Sequence, residues 1–209
     1  MSGRAPRLAR WHGHLNALSA PAGLRPWLAG GGSLTAKLKA HAGAFRVQLL
    51  MQAGAPCLGD EARAIGLAPR ARVWQREVLL RCEGVPVVFG HTVVPLSATA
   101  SDWPLFNALG ERSLGSTLFG DRRVRRGALQ FARLGERHPL AARARAALGL
   151  SAPQAGALYA RRCLYRRGHG LLLVTEVFLP AVLALTPLAA APPARAVAEP
   201  GATPFMNQA

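Results

Sequence analysis

The chain has 209 residues, half of them apolar and only 17% charged, which suits one domain with a real core and excludes a disordered polyelectrolyte. Lysine and arginine total 26 against 10 acidic residues, a formal charge of +16. Nearly all of that is arginine, and an Ala/Arg/Gly/Leu/Pro-rich composition is also what a GC-rich genome produces, so the charge argues only weakly for a polyanionic partner.

In chain order, residues 1–14 read as a loose basic arm and the body of the domain as 15–186. Pro21, Gly23 and Pro26 break residues 15–28 into short helical pieces. Gly30-Gly31-Gly32 leads into Ser33, an N-cap for a helix beginning Leu34-Thr35-Ala36-Lys37-Leu38. Alternation of Phe45, Val47, Leu49 and Met51 predicts a strand over 44–51, followed by a connection with one helical turn near Glu61. A hairpin comes next: strand 72–82, a turn at Glu83-Gly84, and strand 85–95. Gly90 inside the second strand suggests a bulge or the close approach of another group. Helical segments at 102–109 and 113–119, a strand at 126–133 and an Ala/Arg-rich helix at 137–149 follow. A second hairpin joins 158–166 to 171–179, and an Ala/Pro-rich tail after Pro187 is expected to be disordered. This order implies an α+β domain on a single antiparallel sheet.

Cys57, Cys82 and Cys163 form no CxxC and no His/Cys metal spacing, so reduced thiols, a cytoplasmic chain and no metal site are expected. Cys82 and Cys163 read as small core residues. No apolar run follows Arg4, Arg7 and Arg10, so no signal peptide is expected. Pro180, Pro187, Pro192 and Pro193 interrupt the longest uncharged apolar stretch, which speaks against membrane insertion. Arginine clusters at 122–126, 161–162 and 166–167 lack any nucleic-acid-binding motif and read as solvated surface. Ser97 and Ser101 lack a GxSxG frame, and the six histidines show no HxxxH.

One residue breaks the pattern. Strand alternation puts Arg76 on the same face as Trp74, Val78, Leu80 and Cys82, and a guanidinium on an apolar face needs an anionic partner. Glu176 stands in the same way among Leu172, Val174 and Phe178. These two charges are either a buried structural ion pair or the polar fixtures of an anion-binding cavity; the residue pattern leaves both open.

Several motifs in order resemble bacterial chorismate pyruvate-lyase. They are Ser33-Leu34-Thr35-Ala36-Lys37-Leu38, Trp74-Gln75-Arg76-Glu77-Val78-Leu79-Leu80, Gly90-His91-Thr92-Val93-Val94-Pro95, Leu109-Gly110 with Leu114-Gly115 and Leu118-Phe119, and Thr175-Glu176-Val177-Phe178-Leu179-Pro180. The resemblance runs from about Ser33 to Pro180. It implies a sheet of about six antiparallel strands flanked by helices, an internal cavity under helical flaps, and a reaction without metal or organic cofactor. The implied activity converts chorismate to 4-hydroxybenzoate and pyruvate, the first step of the ubiquinone ring pathway, in an enzyme expected to be a monomer. Carried over, Arg76 holds the ring carboxylate together with the backbone amides of Leu34 and Leu114, and Glu176 meets the 4-hydroxyl. Leu34 and Leu114 each follow a serine at a helix start, where backbone N–H groups lack intrahelical acceptors.

Under the same resemblance the apolar neighbours of Glu176 would favour its protonated form, and His91 or Arg122 is a candidate for the pyruvyl carboxylate. Position 91 is His where arginine is common in the family, and residues 135–157 have no clear counterpart. The rival reading is a small aromatic-acid sensor of the same fold. In regulators of the GntR type such a domain follows a winged helix, for which the segment before Ser33 is too short.

Overall fold

The computed structural model describes residues 8–150 and 156–187. Six strands form one sheet: β1 (Phe45–Pro56), β2 (Arg72–Cys82), β3 (Val85–Pro95), β4 (Val124–Leu134), β5 (Leu158–Arg167) and β6 (Gly170–Phe178). Their spatial order is β1-β2-β3-β6-β5-β4, antiparallel throughout. The α+β single-sheet expectation is met. The sheet consists of two meanders, β1-β2-β3 and β4-β5-β6, joined edge to edge where β3 pairs with β6. β1 runs to Pro56, five residues beyond the expected end, because residues 52–56 continue the ladder against β2 as far as Arg72.

Helices cover both faces. On the front lie α1 (Arg25–Ala29), α2 (Leu34–Lys39) and α4 (Leu114–Gly120); behind lie α3 (Gly59–Ala64) and α5 (Pro139–Ala146). Ser33 caps α2 as its position predicts, its hydroxyl accepting from the Ala36 amide at 3.3 Å. Lys37 ties α2 to α1 by donating to the Pro26 carbonyl at 2.6 Å and lying 4.6 Å over the Trp27 ring. The expected helix over 102–109 is reduced to turns and a 3-10 segment, Phe106–Ala108, with Trp103, Phe106 and Leu109 buried.

Alternation along each strand divides the core. Leu28, Leu34, Leu38, Val78, Leu80 and Phe178 pack in front under α1 and α2, while Leu79, Phe89, Ala160 and Val177 pack behind against Leu140, Ala141 and Ala144 of α5. Burying one such side chain contributes roughly 1.5–3 kcal/mol. Residues 1–7 of the expected loose arm lie outside the described residues. Trp11 and His12 are fastened: the Trp11 indole donates to Asp60 at 2.8 Å, and His12 exchanges backbone hydrogen bonds with Phe131. Residues 151–155 and the tail beyond Pro187 also lie outside the described residues. No helix among the described residues is long and apolar enough to cross a membrane.

Candidate active site

Two rows of side chains across the front of the sheet make the floor of a cavity. Cα pairing aligns Arg76, Thr92, Val174, Cys163 and Leu129 in one row and Val78, Gly90, Glu176 and Arg161 in the next. The first turns of α2 and α4 form the roof, contributing Leu34, Thr35, Leu114 and Gly115. The space open to water centres is about 70 Å³. Leu34, Arg76, Leu114 and Glu176, the four residues expected at the site, all line it.

Gly90 is part of the floor, and β2 and β3 pair without interruption on either side of it. Of the two expectations for this glycine, close approach is the one realised. A Cβ there would stand 3.0 Å from Val78 Cγ2 and would raise that part of the floor.

Arg76 is 2% exposed. Its Nε and Nη2 donate to the Gly110 carbonyl at 3.3 and 2.7 Å, and Nη2 also donates to the Arg112 carbonyl at 2.9 Å. Those neutral acceptors belong to the loop before α4, so the arginine fastens the roof to the floor. No carboxylate among the described residues lies within ion-pair distance of it. Burial without a compensating anion brings its pKa down to about 10, still far above neutrality. Among the described residues its partners are carbonyls alone, so a buried positive charge lines the cavity without a neutralising anion.

Glu176 does not answer that need, and the direct Arg76–Glu176 ion pair is not formed. Arg161 takes Glu176 instead, with Nε 2.5 Å from Oε2. The apolar setting expected for Glu176 is corrected accordingly: its partner is a buried cation one strand away. Nη1 of Arg161 donates to the carbonyls of Trp27 at 3.2 Å, Leu28 at 3.3 Å and Gly30 at 2.7 Å, which anchors the C-terminal end of α1 and the start of the segment leading to α2. Arg161 is 3% exposed and Arg162 is buried as well, so these two are not the solvated cluster the sequence suggested.

Sequence reasoning missed Arg161, although the signal was present. Consecutive arginines in a strand point to opposite faces, and both faces are covered at this point of β5.

Neither candidate for a second anion anchor is in the cavity. His91 follows Gly90 and therefore points to the rear face, where it is fully buried between Glu61 and Glu77, each 3.2 Å from a ring nitrogen. Burial opposes its charge, but the two carboxylates outweigh that and raise it to about 9. Arg122 is exposed before β4 and does not line the cavity. Arg126, four residues further on, does line it. Cys163 is buried as expected, yet it too faces the cavity, with Sγ donating to the Gly127 carbonyl at 3.3 Å. Among the described residues no group of three or more His, Cys, Asp or Glu side chains is arranged to hold a metal ion.

The sequence model for chorismate lyase matches residues 5–185. The chain belongs to the chorismate lyase family. Relatives within it include a probable chorismate pyruvate-lyase of Ralstonia nicotianae, 52% identical over 77% of this chain and 83% of that protein. Another of the same description, from Cupriavidus metallidurans, is 48% identical over 84% of this chain and 82% of its own length. Solved structures similar to this family member include the effector domain of PhnF from Mycobacterium smegmatis, at 20% identity and a TM-score of 0.47 over 72% of this chain and 90% of that one. Every chorismate lyase motif read in the sequence falls at the cavity or in the strands and helix ends that frame it.

Proposed function

We propose that the protein is a chorismate pyruvate-lyase, converting chorismate to 4-hydroxybenzoate and pyruvate without a metal or organic cofactor. The observation that carries this reading is Arg76: a buried cavity-lining guanidinium with no carboxylate partner among the described residues. Family membership supplies the substrate class, and the cavity supplies a reason for an aromatic carboxylate to sit there.

In this reading the ring carboxylate binds Arg76 and the first-turn amides of Leu34 and Leu114, which lie above it. Glu176 stands two strands from Arg76 and one row along, pairing with Gly90 where Arg76 pairs with Thr92. The two side chains therefore line the cavity at separate points, and a ring with a carboxylate at one end and a hydroxyl at the other can lie between them. Glu176, paired with Arg161, accepts a hydrogen bond from the 4-hydroxyl. Val78, Leu118, Leu129 and Val174 supply apolar contact for the ring.

The chemistry is an elimination. The C3–O bond breaks, its electron pair leaves with the enolpyruvyl oxygen, and C4 loses its proton. The proton finally resides on the methylene carbon as pyruvate forms. Aromatisation drives the step, so the protein contributes mainly orientation and charge placement.

The test is to mix purified protein with chorismate, without added metal or cofactor, and to follow 4-hydroxybenzoate and pyruvate. Equimolar appearance of both, lost in Arg76→Ala, is the expected result. Failure to convert chorismate by a folded protein that still binds 4-hydroxybenzoate would replace the lyase with a sensor of the same pocket.

A further inference from the structure

β4 and β5 fall out of step at one place. Arg126 pairs with Tyr165 and Leu129 with Cys163, so β4 advances three residues while β5 advances two. Tyr165 and Cys163 both line the cavity. The extra residue therefore lets Arg126 and Leu129 face it together, whereas in a regular strand residues three apart point to opposite faces. Gly127 sits in this bulge, where an added Cβ would lie 3.0 Å from the Leu164 carbonyl. The bulge re-aims a charged side chain towards the ligand space.

Arg126 donates to the Gly31 carbonyl of the segment between α1 and α2 and lies against the Tyr165 phenol and the Cys163 thiol. Like Arg76, it has no carboxylate within ion-pair distance among the described residues. Unlike Arg76, it is exposed, which places it at the rim rather than the floor. Among the cavity-lining residues, Arg76, Arg126 and Arg161 face a single carboxylate, Glu176. Arg161 already pairs with that carboxylate, which leaves two guanidiniums for a ligand, one deep and one shallow.

Chorismate carries two carboxylates, and 4-hydroxybenzoate keeps one. We propose that Arg126 binds the enolpyruvyl carboxylate at the cavity mouth while Arg76 holds the ring carboxylate beneath it. This assignment rests on the lyase reading and adds to it the residue that separates substrate from product. The leaving pyruvate then departs from the side open to water, and the aromatic product stays on the deep anchor.

The experiment compares Arg126→Gln and Arg126→Lys with wild type, measuring KM for chorismate, or its Kd if it is not converted, and Kd for 4-hydroxybenzoate. Losing a charge-assisted hydrogen bond at a partly exposed rim should weaken chorismate on the order of tenfold or more in Arg126→Gln, while 4-hydroxybenzoate affinity stays within about twofold. Arg126→Lys should restore part of the loss. Unchanged chorismate affinity would overturn the assignment. So would an equal loss for both ligands, which would report the contact with Gly31 rather than a carboxylate. If wild type binds chorismate without converting it, the lyase reading fails, and the Kd comparison still decides the role of Arg126.

Discussion

Arg161 and Glu176 face each other across the β5–β6 ladder, and the arginine's Nε lies 2.5 Å from the carboxylate. The pair joins β5 and β6 to the end of α1, because the same guanidinium holds the carbonyls of Trp27, Leu28 and Gly30. Arg161→Gln should therefore cost about 3 kcal/mol, the lower end for breaking a buried pair, since the Glu176 side chain keeps 21% exposure. Glu176→Gln should cost less. In a double-mutant cycle by urea denaturation the two losses should fall well short of additive, and strict additivity would mean the contact carries no coupling energy.

Arg76→Ala should abolish detectable 4-hydroxybenzoate binding while the protein remains folded. Its two carbonyl acceptors lose their donors, at about 1–3 kcal/mol, but an unpaired buried charge is removed with them. Glu176 keeps its own cation. Calorimetric titration with a denaturation curve on the same sample checks both halves. A variant that binds normally would remove Arg76 from the site.

Gly90 offers a graded test of the floor. Gly90→Ala puts a methyl 3.0 Å from Val78 and should weaken 4-hydroxybenzoate several-fold, roughly the effect of one overpacked methylene. Gly90→Val should lose binding altogether. Equal affinities in all three proteins would show that the ligand does not reach the β3 backbone.

Stability should fall between neutral and alkaline pH. His91 rises from about 6.5 in the unfolded chain to about 9 in the folded one, because Glu61 and Glu77 hold its proton. A group raised in this way contributes in full below its unfolded pKa and loses that contribution as pH climbs through the folded value. Urea midpoints should drop from pH 6.5 to 9.5 in wild type and drop less in His91→Gln. Parallel curves would show that His91 is not the group responsible.

Product should inhibit. An anchor that holds the ring carboxylate and the 4-hydroxyl before the reaction holds them equally well after it, which is uniform binding and does not speed turnover. Added 4-hydroxybenzoate should slow the steady-state rate, with a pre-steady-state burst of pyruvate preceding it. No burst and no inhibition would place the slow step at chemistry.

Much of this was legible in the chain. The strands announce themselves by period-two alternation, and Arg76 and Glu176 stand out because charge is costly on an apolar strand face. Partnerships were less legible. Glu176 finds Arg161 because β5 lies beside β6, a neighbour relation that residue spacing within one strand does not encode. Arg126 needed the bulge, which depends on the backbone path at Gly127 and on no side-chain pattern. His91 was proposed for the cavity under the resemblance, in which arginine is common at that position, although alternation alone sends it to the face opposite Gly90's cavity row.

The same alternation makes the sheet a membrane between two charged compartments. Arg76 and Glu77, Arg161 and Arg162, and Glu176 and Thr175 are chain neighbours assigned to opposite sides. Pairing one residue out of step would carry Glu77 into the front cavity and drive Arg76 into the rear compartment. An all-aliphatic sheet that slips loses only fit, whereas this one would strand several ions at once. The charges that read a ligand thus also proofread the strand register, and tolerance for sliding in the central strands should be lowest where the chemistry is densest.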